Sequence, residues 1–274
     1  MDDVQAIDLK YYSAATTISD LQKNWTLEED IPYYDEAETD EYIRECRRLD
    51  IYYPQNRKKV PVILYFHGGG LIRGDKKSGV LEIMKLLDCI IVSAEYRLSP
   101  KAKCPAYIED AAAAAAWVLK NIDRYNGDPE NVFISGVSAG AYLAMILCTV
   151  KRFLNQYGCK PEDFRGYMPL SGQALTHLTI RAEKGIPVTQ PVADEYAPLL
   201  HVRKDLPPLL MITGQTGLEL DCRPAENKLM HDLLVYCGNT TSEFYEIPSL
   251  NHANISDSTL PFMRTFILKY LKKD

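Results

Sequence analysis

Short runs of consecutive apolar residues alternate along this chain with segments of helical periodicity. A continuous apolar run predicts a strand that is buried on both faces, as in the middle of a parallel sheet. Such strands are predicted over residues 62–66, 88–95, 132–134, 164–170 and 209–213, with a further strand over residues 242–247. Helices are predicted over residues 106–125, 141–153 and 225–236. Because strands and helices alternate, we expect an α/β fold whose mostly parallel sheet has helices on both faces.

Three segments depart from this alternation. Residues 1 to about 40 are rich in Tyr, Asp and Glu and have no clear period, which predicts an irregular N-terminal arm. Residues 41–53 alternate in their second half, which predicts a strand. Residues 171–205 contain three prolines and no clear period, and we interpret them as a cap inserted over the sheet edge. The chain has no internal repeats, so a single domain is expected.

Composition narrows the class of protein without identifying it. The chain has 274 residues, of which 46% are hydrophobic and 25% charged, as in an ordinary globular protein. Its net charge of −6 disfavours nucleic acid or an anionic membrane as a partner. The seven cysteines form no Cys-x-x-Cys pair, and no signal peptide or long apolar segment is found. We therefore expect free thiols, no bound metal and a cytoplasmic location.

The segment Gly136-Val137-Ser138-Ala139-Gly140 directly follows a predicted strand and precedes a predicted helix. Strand, tight turn and helix are the parts of a nucleophile elbow, which presents a serine hydroxyl at the edge of a sheet. A side chain at either flanking glycine would collide with the strand or the helix. Ser138 is therefore a candidate nucleophile, although the pattern taken alone also fits an ordinary glycine-rich turn.

Three adjacent glycines follow another predicted strand, in the segment His67-Gly68-Gly69-Gly70. Because glycine has no Cβ, the backbone N–H groups of such a loop can converge on one point and stabilise a negatively charged oxygen. We predict that the N–H groups of Gly69 and Gly70, together with that of Ala139, form an oxyanion hole.

A base and an acid are expected on the loops after the later strands. His252 is the only one of the five histidines that lies late in the chain and on a loop, so we predict it as the base that activates Ser138. The loop after residues 209–213 offers two acids, Glu219 and Asp221. We favour Glu219, which is nearer the strand and has the longer side chain, and keep Asp221 as the alternative. Either carboxylate also fits a solvated loop or the start of a helix.

The predicted cap contains four polar or aromatic residues that could touch a substrate: His177, Arg181, Tyr196 and His201. The alternative is that these side chains only hold the cap together.

Taken together, these motifs resemble the α/β-hydrolase superfamily. Within it, the chain resembles the small serine esterases related to hormone-sensitive lipase and the bacterial carbohydrate esterases. Further matching segments are residues 94–100, 105–110 and 126–131, so the resemblance spans about residue 60 to the C-terminus. It implies a lipase-like carboxylesterase that cleaves a small-molecule ester through a Ser–His–acid triad without a cofactor. It allows acetylated or feruloylated sugars as substrates and a homodimer as the assembly.

The chain departs from this family at the acid. The family usually places its acid three residues after the glycine that ends the strand, and here that position is Gly217. Glu219 lies two positions later. The departure leaves open a relative that binds a ligand without catalysis, and the resemblance also leaves open an arylformamidase-like amidase.

Overall fold

A central sheet dominates the computed structural model, which describes residues 25–55, 57–80, 83, 85–86 and 89–272. Within these residues the sheet has eight strands: β1 (Trp25–Pro32), β2 (Arg48–Pro54), β3 (Val60–Phe66), β4 (Ile90–Ala94), β5 (Gly127–Val137), β6 (Gly166–Leu170), β7 (Leu209–Gly214) and β8 (Ser242–Ile247). Their order across the sheet is β1-β2-β4-β3-β5-β6-β7-β8. The strands β1 and β2 run antiparallel to their neighbours, whereas the pairs from β4 to β8 are parallel. The expectation of a mostly parallel sheet is confirmed.

Helices cover both faces of this sheet. The described helices are α1 (Glu41–Cys46), α2 (Ala106–Asn121), α3 (Ala139–Thr149), α4 (Lys151–Asn155), α5 (Leu178–Glu183), α6 (Arg223–Tyr236) and α7 (Ile255–Tyr270). Successive residues of a strand point to opposite faces. On β3, Leu64 packs into the apolar cluster that contains α2 and α3, whereas Ile63 packs into the cluster that contains Met263 and Phe266 of α7. The predicted arrangement with helices on both faces is therefore also confirmed.

Two predictions near the N-terminus are wrong. Residues 41–53 do not form one strand, because α1 occupies Glu41–Cys46 and β2 begins only at Arg48. The Asp40 side chain caps α1 by accepting hydrogen bonds from the Tyr42 and Ile43 amides, at 2.8 and 3.1 Å, which satisfies N–H groups left free at a helix start.

The predicted N-terminal arm is also not irregular throughout, because Trp25–Pro32 forms the edge strand β1. Most of its side chains are exposed, so no apolar pattern marks it. Residues 1–24 of the predicted arm lie outside the described residues.

The parallel strands bring the candidate residues to one edge of the sheet. Phe66 at the end of β3 pairs with Gly136 of β5, and Val137 pairs with Leu170 at the end of β6. The loops that follow β3, β5, β6 and β7 therefore all begin at the carboxyl edge, where ligands bind in open α/β sheets.

Candidate active site

Ser138 occupies the turn between β5 and α3. Its backbone has φ +56° and ψ −113°, a strained conformation for a residue with a Cβ. The Ser138 amide donates to the Leu170 carbonyl at 2.8 Å, and the Ser138 carbonyl accepts from the Tyr142 amide at 3.0 Å. These two bonds fix the turn, and the side chain is left half-buried at the sheet edge.

The glycines on either side of Ser138 are required by close packing. A Cβ on Gly136 would lie 2.5 Å from the carbonyl carbon of Gly140. A Cβ on Gly140 would overlap the carbonyl oxygen of Phe66. Both obstacles are backbone atoms, which cannot move aside by changing a rotamer.

We expect Gly140→Ala to lower the free energy of unfolding by at least about 3 kcal/mol, because the new methyl group meets rigid backbone. Gly185 is a suitable control position, since it has φ +72° and open space where a Cβ would lie. Gly185→Ala should therefore cost only the left-handed strain of about 1–2 kcal/mol. Urea denaturation of both variants measures the difference, and equal losses would contradict the steric argument.

His252 bridges Ser138 and Glu219. It lies on the loop between β8 and α7, and its Nε2 is 2.9 Å from the Ser138 Oγ. On the other side of the ring, its Nδ1 is 2.7 Å from Oε1 of Glu219. A serine, an imidazole and a carboxylate are thus joined in one hydrogen-bonded row, which is the arrangement of a catalytic triad.

Glu219 is held as a buried carboxylate. Its Oε2 accepts from the Gly214 amide at 3.2 Å, and its Oε1 accepts from the Leu220 amide at 2.8 Å. Burial opposes ionisation, but hydrogen bonds from His252, from the Leu220 amide and from Ser171 outweigh it and lower the pKa of Glu219 to about 2. Glu219 is therefore ionised at neutral pH. Asp221, the alternative acid, is exposed to solvent.

The glycine loop after β3 passes beside Ser138. A Cβ on Gly68 would lie 3.5 Å from the Ser138 Cβ, and Gly69 and Gly70 adopt φ +113° and +67°. Among the hydrogen bonds of the described residues, the amides of Gly69, Gly70 and Ala139 donate to no protein acceptor. These three N–H groups are therefore available to a ligand oxygen.

His67 fixes the start of this loop. Its Nε2 lies 2.9 Å from Oε1 of Glu95, and its ring stacks on that of Tyr96 at a centroid distance of 4.2 Å. The Tyr96 hydroxyl donates to the His67 carbonyl at 2.8 Å. His67 is thus buried in structural contacts and has a different role from His252.

The segment 171–205, predicted as a cap, contacts the glycine loop directly. It contains α5, whose Thr179 hydroxyl donates to the Gly70 carbonyl. At the other end of α5, Oε2 of Glu183 accepts from the Cys104 amide at 2.9 Å. The segment is therefore fastened to the body beside the predicted oxyanion hole.

Two of the four candidate residues in this segment are buried. The His177 ring lies 5.1 Å from that of Tyr142, and the Arg181 guanidinium donates to the Gln190 carbonyl. Burial, together with the positive charges of Arg223 and Arg181, lowers the pKa of His177 well below its ordinary value. His177 is therefore a neutral, packed side chain.

The other two candidates also make structural contacts. The Tyr196 carbonyl accepts from the Tyr142 hydroxyl at 2.8 Å, and its ring is 6.5 Å from that of Phe153. Nε2 of His201 lies 3.0 Å from the Glu195 carbonyl oxygen. These contacts favour the interpretation in which all four residues hold the segment in place.

Ser171 is the site residue that the sequence reasoning missed. Its hydroxyl lies 3.1 Å from the His252 Nδ1. The signal that could have identified it is its position directly after the apolar strand β6, at the carboxyl edge where Ser138 also follows β5.

The chain is similar in sequence to a family model and to several esterases. Residues 49–165 match the family model described as BD-FAE. Esterase LipI of Mycobacterium tuberculosis is 32% identical over 159 residues, covering 56% of this chain and 46% of that protein. Probable carboxylesterase 1 of Arabidopsis thaliana is 35% identical over 150 residues, covering 47% of this chain and 44% of that protein. The chain spans about half the length of the curated relatives that it matches.

A solved structure described as a truncated carbohydrate esterase from gut microbiota has the same fold. It superposes with a TM-score of 0.69 at 19% identity, covering 89% of this chain and 96% of that one. The chain thus has the α/β-hydrolase fold. The relatives that match it are named as an esterase and a probable carboxylesterase. No helix in the described part of the chain has both the length and the apolar character that crossing a membrane requires.

Proposed function

We propose that this chain hydrolyses small carboxylic esters through a covalent acyl-enzyme, with Ser138 as nucleophile, His252 as base and Glu219 as acid. The observation that carries the proposal is the position of the His252 ring, 2.9 Å from the Ser138 Oγ and 2.7 Å from Glu219. A neutral imidazole in this position accepts a proton at Nε2 while its Nδ1–H donates to the carboxylate.

In the first step, His252 takes the Ser138 proton as Oγ attacks the ester carbonyl carbon. The negative charge that develops on the carbonyl oxygen is stabilised by the amides of Gly69, Gly70 and Ala139. His252 then passes its proton to the leaving alcohol, and the acyl group remains on Ser138. A positively charged imidazole forms and disappears during this step, and the Glu219 carboxylate stabilises it.

In the second step, the same imidazole activates water. Water attacks the acyl carbonyl, the same amides hold the oxyanion, and the proton returns to the Ser138 oxygen as the acid is released. The scheme uses only side chains and amides of this chain, so no cofactor is invoked.

Short acyl groups are the proposed substrates. The described part of the segment 171–205 contains one α-helix of six residues, α5, which is bound to Gly70 close to the predicted oxyanion hole. Such a short segment leaves little apolar surface to hold a long acyl chain. The names of the relatives, esterase and carboxylesterase, support ester cleavage, and the carbohydrate esterase of the same fold makes acetylated or feruloylated sugars reasonable candidates.

The rival function, ligand binding without catalysis, was motivated by Gly217 in the usual acid position. In this structure the carboxylate of Glu219 lies against His252, so the displaced acid no longer favours that rival. An amide of the formylkynurenine type is the alternative substrate, and the formyl substrate in the assay below tests it. The cytoplasmic location and the homodimer remain predictions from the sequence.

A fluorophosphonate probe and an ester panel test the proposal. We expect one covalent adduct per chain, mapped by mass spectrometry to Ser138. We also expect faster cleavage of p-nitrophenyl acetate and butyrate than of p-nitrophenyl dodecanoate. Feruloyl and formyl substrates in the same panel define the leaving and acyl groups. A folded protein that neither reacts with the probe nor cleaves any ester would contradict the proposal.

A further inference from the structure

Ser171 is positioned to interact with the base of the proposed triad. Its side chain is fully buried, and its Oγ lies 3.1 Å from the His252 Nδ1. The same Nδ1 is 2.7 Å from Glu219. The nitrogen that must keep its proton during catalysis therefore faces two oxygen atoms rather than one.

The backbone of Ser171 is held in an unusual conformation. Its φ is +55°, in the left-handed region that residues with a Cβ rarely adopt. The Ser171 amide donates to the Ile212 carbonyl at 2.7 Å, and the Ser171 carbonyl accepts from the guanidinium of the buried Arg223. Nε of Arg223 lies in turn 3.2 Å from Oε1 of the buried Glu226. Such strain persists only where surrounding contacts determine the conformation, and here they aim one hydroxyl at His252.

The chemistry of the three groups assigns the protons. Nε2 of His252 must accept the Ser138 proton, so in the resting site Nδ1 carries the ring proton and donates it to Glu219. The Ser171 oxygen can accept a second, weaker share of this Nδ1–H.

We propose that Ser171 is a positioning residue that fixes the rotation of the His252 ring, and that the Arg223–Glu226 pair holds Ser171 in place. This inference rests on the proposed esterase function. When the ring becomes an imidazolium, the Ser171 lone pair supplies an additional acceptor for Nδ1–H. The effect should therefore appear in the rate of the chemical steps rather than in substrate binding.

The first test compares Ser171→Ala and Ser171→Gly with the wild type. Both variants remove the hydroxyl, but glycine also relieves the left-handed strain. We expect kcat for p-nitrophenyl butyrate to fall about tenfold to a hundredfold in both variants with KM nearly unchanged, which is the range for a hydrogen bond to a charged group. A kcat within twofold of wild type in both variants would overturn the proposal.

Ser135→Ala is the matched control for loss of a buried serine hydroxyl. Ser135 is also fully buried, and its hydroxyl donates to the Met168 carbonyl at 2.7 Å on the neighbouring strand. It should lower the thermal midpoint by an amount similar to Ser171→Ala while leaving kcat unchanged. If Ser135→Ala lowers kcat as much as Ser171→Ala, the hydroxyl of Ser171 has only a structural effect.

Proton NMR provides a readout that needs no turnover. The Nδ1–H of His252, shared with a carboxylate, should give a resonance far downfield of the amide protons, and Glu219→Gln identifies it by removing it. We expect Ser171→Ala to shift or broaden this resonance and Ser135→Ala to leave it in place. An unchanged resonance in Ser171→Ala would count against the inference even if the wild type cleaved no ester, so its failure is distinguishable from failure of the proposed function.

Discussion

Replacing Ser138 by alanine is expected to lower kcat for p-nitrophenyl butyrate by about 10⁴- to 10⁶-fold, the range observed when the nucleophile of a serine hydrolase is removed. Without Oγ there is no atom to form the acyl-enzyme, and the amides of Gly69, Gly70 and Ala139 can only assist direct attack by water. Steady-state kinetics measure the fall in kcat, and loss of the fluorophosphonate adduct shows that the nucleophile has been removed.

The alanine at position 138 keeps its Cβ, so the fold should persist and the thermal midpoint should change little. Ser135→Ala, three residues earlier on β5, controls for a general effect of removing a hydroxyl from this strand. If Ser138→Ala retained more than a tenth of the wild-type kcat, another group would have to be the nucleophile.

The central strands were predictable from sequence because their burial is encoded locally. All residues from Leu209 to Gly214 of β7 are buried, and the same holds for β4 and β6. A strand covered on both faces is mostly apolar, so its sequence marks it without reference to the rest of the chain.

The edge strand β1 has no such mark. It is held by backbone pairing to β2, while most of its side chains are exposed and three of its eight residues are acidic. The helix α1 is short, and its formation depends on the Asp40 cap and on the strand that follows. An apolar pattern reveals neither backbone pairing at a sheet edge nor a polar helix cap.

Ser138 and His252 were predictable because a local feature places each of them. Ser138 lies on a glycine-bounded turn, and His252 lies on a loop after a late strand. The choice between Glu219 and Asp221 depended on the path of a longer loop. The amides of Leu218 and Glu219 both donate to the Gln215 carbonyl, at 2.9 Å each, and Gly217 adopts φ +87°. This turn directs the Glu219 carboxylate back towards β7, where the Gly214 amide and His252 meet it.

Glu219→Gln is expected to lower kcat by about 10³- to 10⁴-fold, the cost of replacing a triad carboxylate by its amide. The side-chain amide of the introduced glutamine can donate a hydrogen bond to Nδ1 of His252. This favours the tautomer with the proton on Nε2, and a protonated Nε2 cannot accept the Ser138 proton. KM should change much less, because Glu219 does not touch the substrate in the proposed mechanism. Steady-state kinetics compare kcat and KM of the two variants Glu219→Gln and Asp221→Asn.

The pH dependence of stability gives an independent readout for Glu219. Its folded-state pKa of about 2 lies below the ordinary value of 4.5, so its contribution to stability is present above about pH 4.5. That contribution is lost as the pH falls through about 2. The difference in unfolding free energy between wild type and Glu219→Gln should therefore be constant from pH 5 to 8 and narrow below about pH 4.5, as measured by urea denaturation.

Asp221→Asn is the matched control, since it makes the same chemical change on an exposed side chain two residues away. We expect it to change kcat by less than about twofold, in line with a solvated carboxylate that has no partner in the reaction. If Asp221→Asn instead caused the larger loss, the loop would have to rearrange in solution so that Asp221 replaces Glu219 beside His252. The row of hydrogen bonds on which the proposed mechanism depends would then differ from the one in this structure.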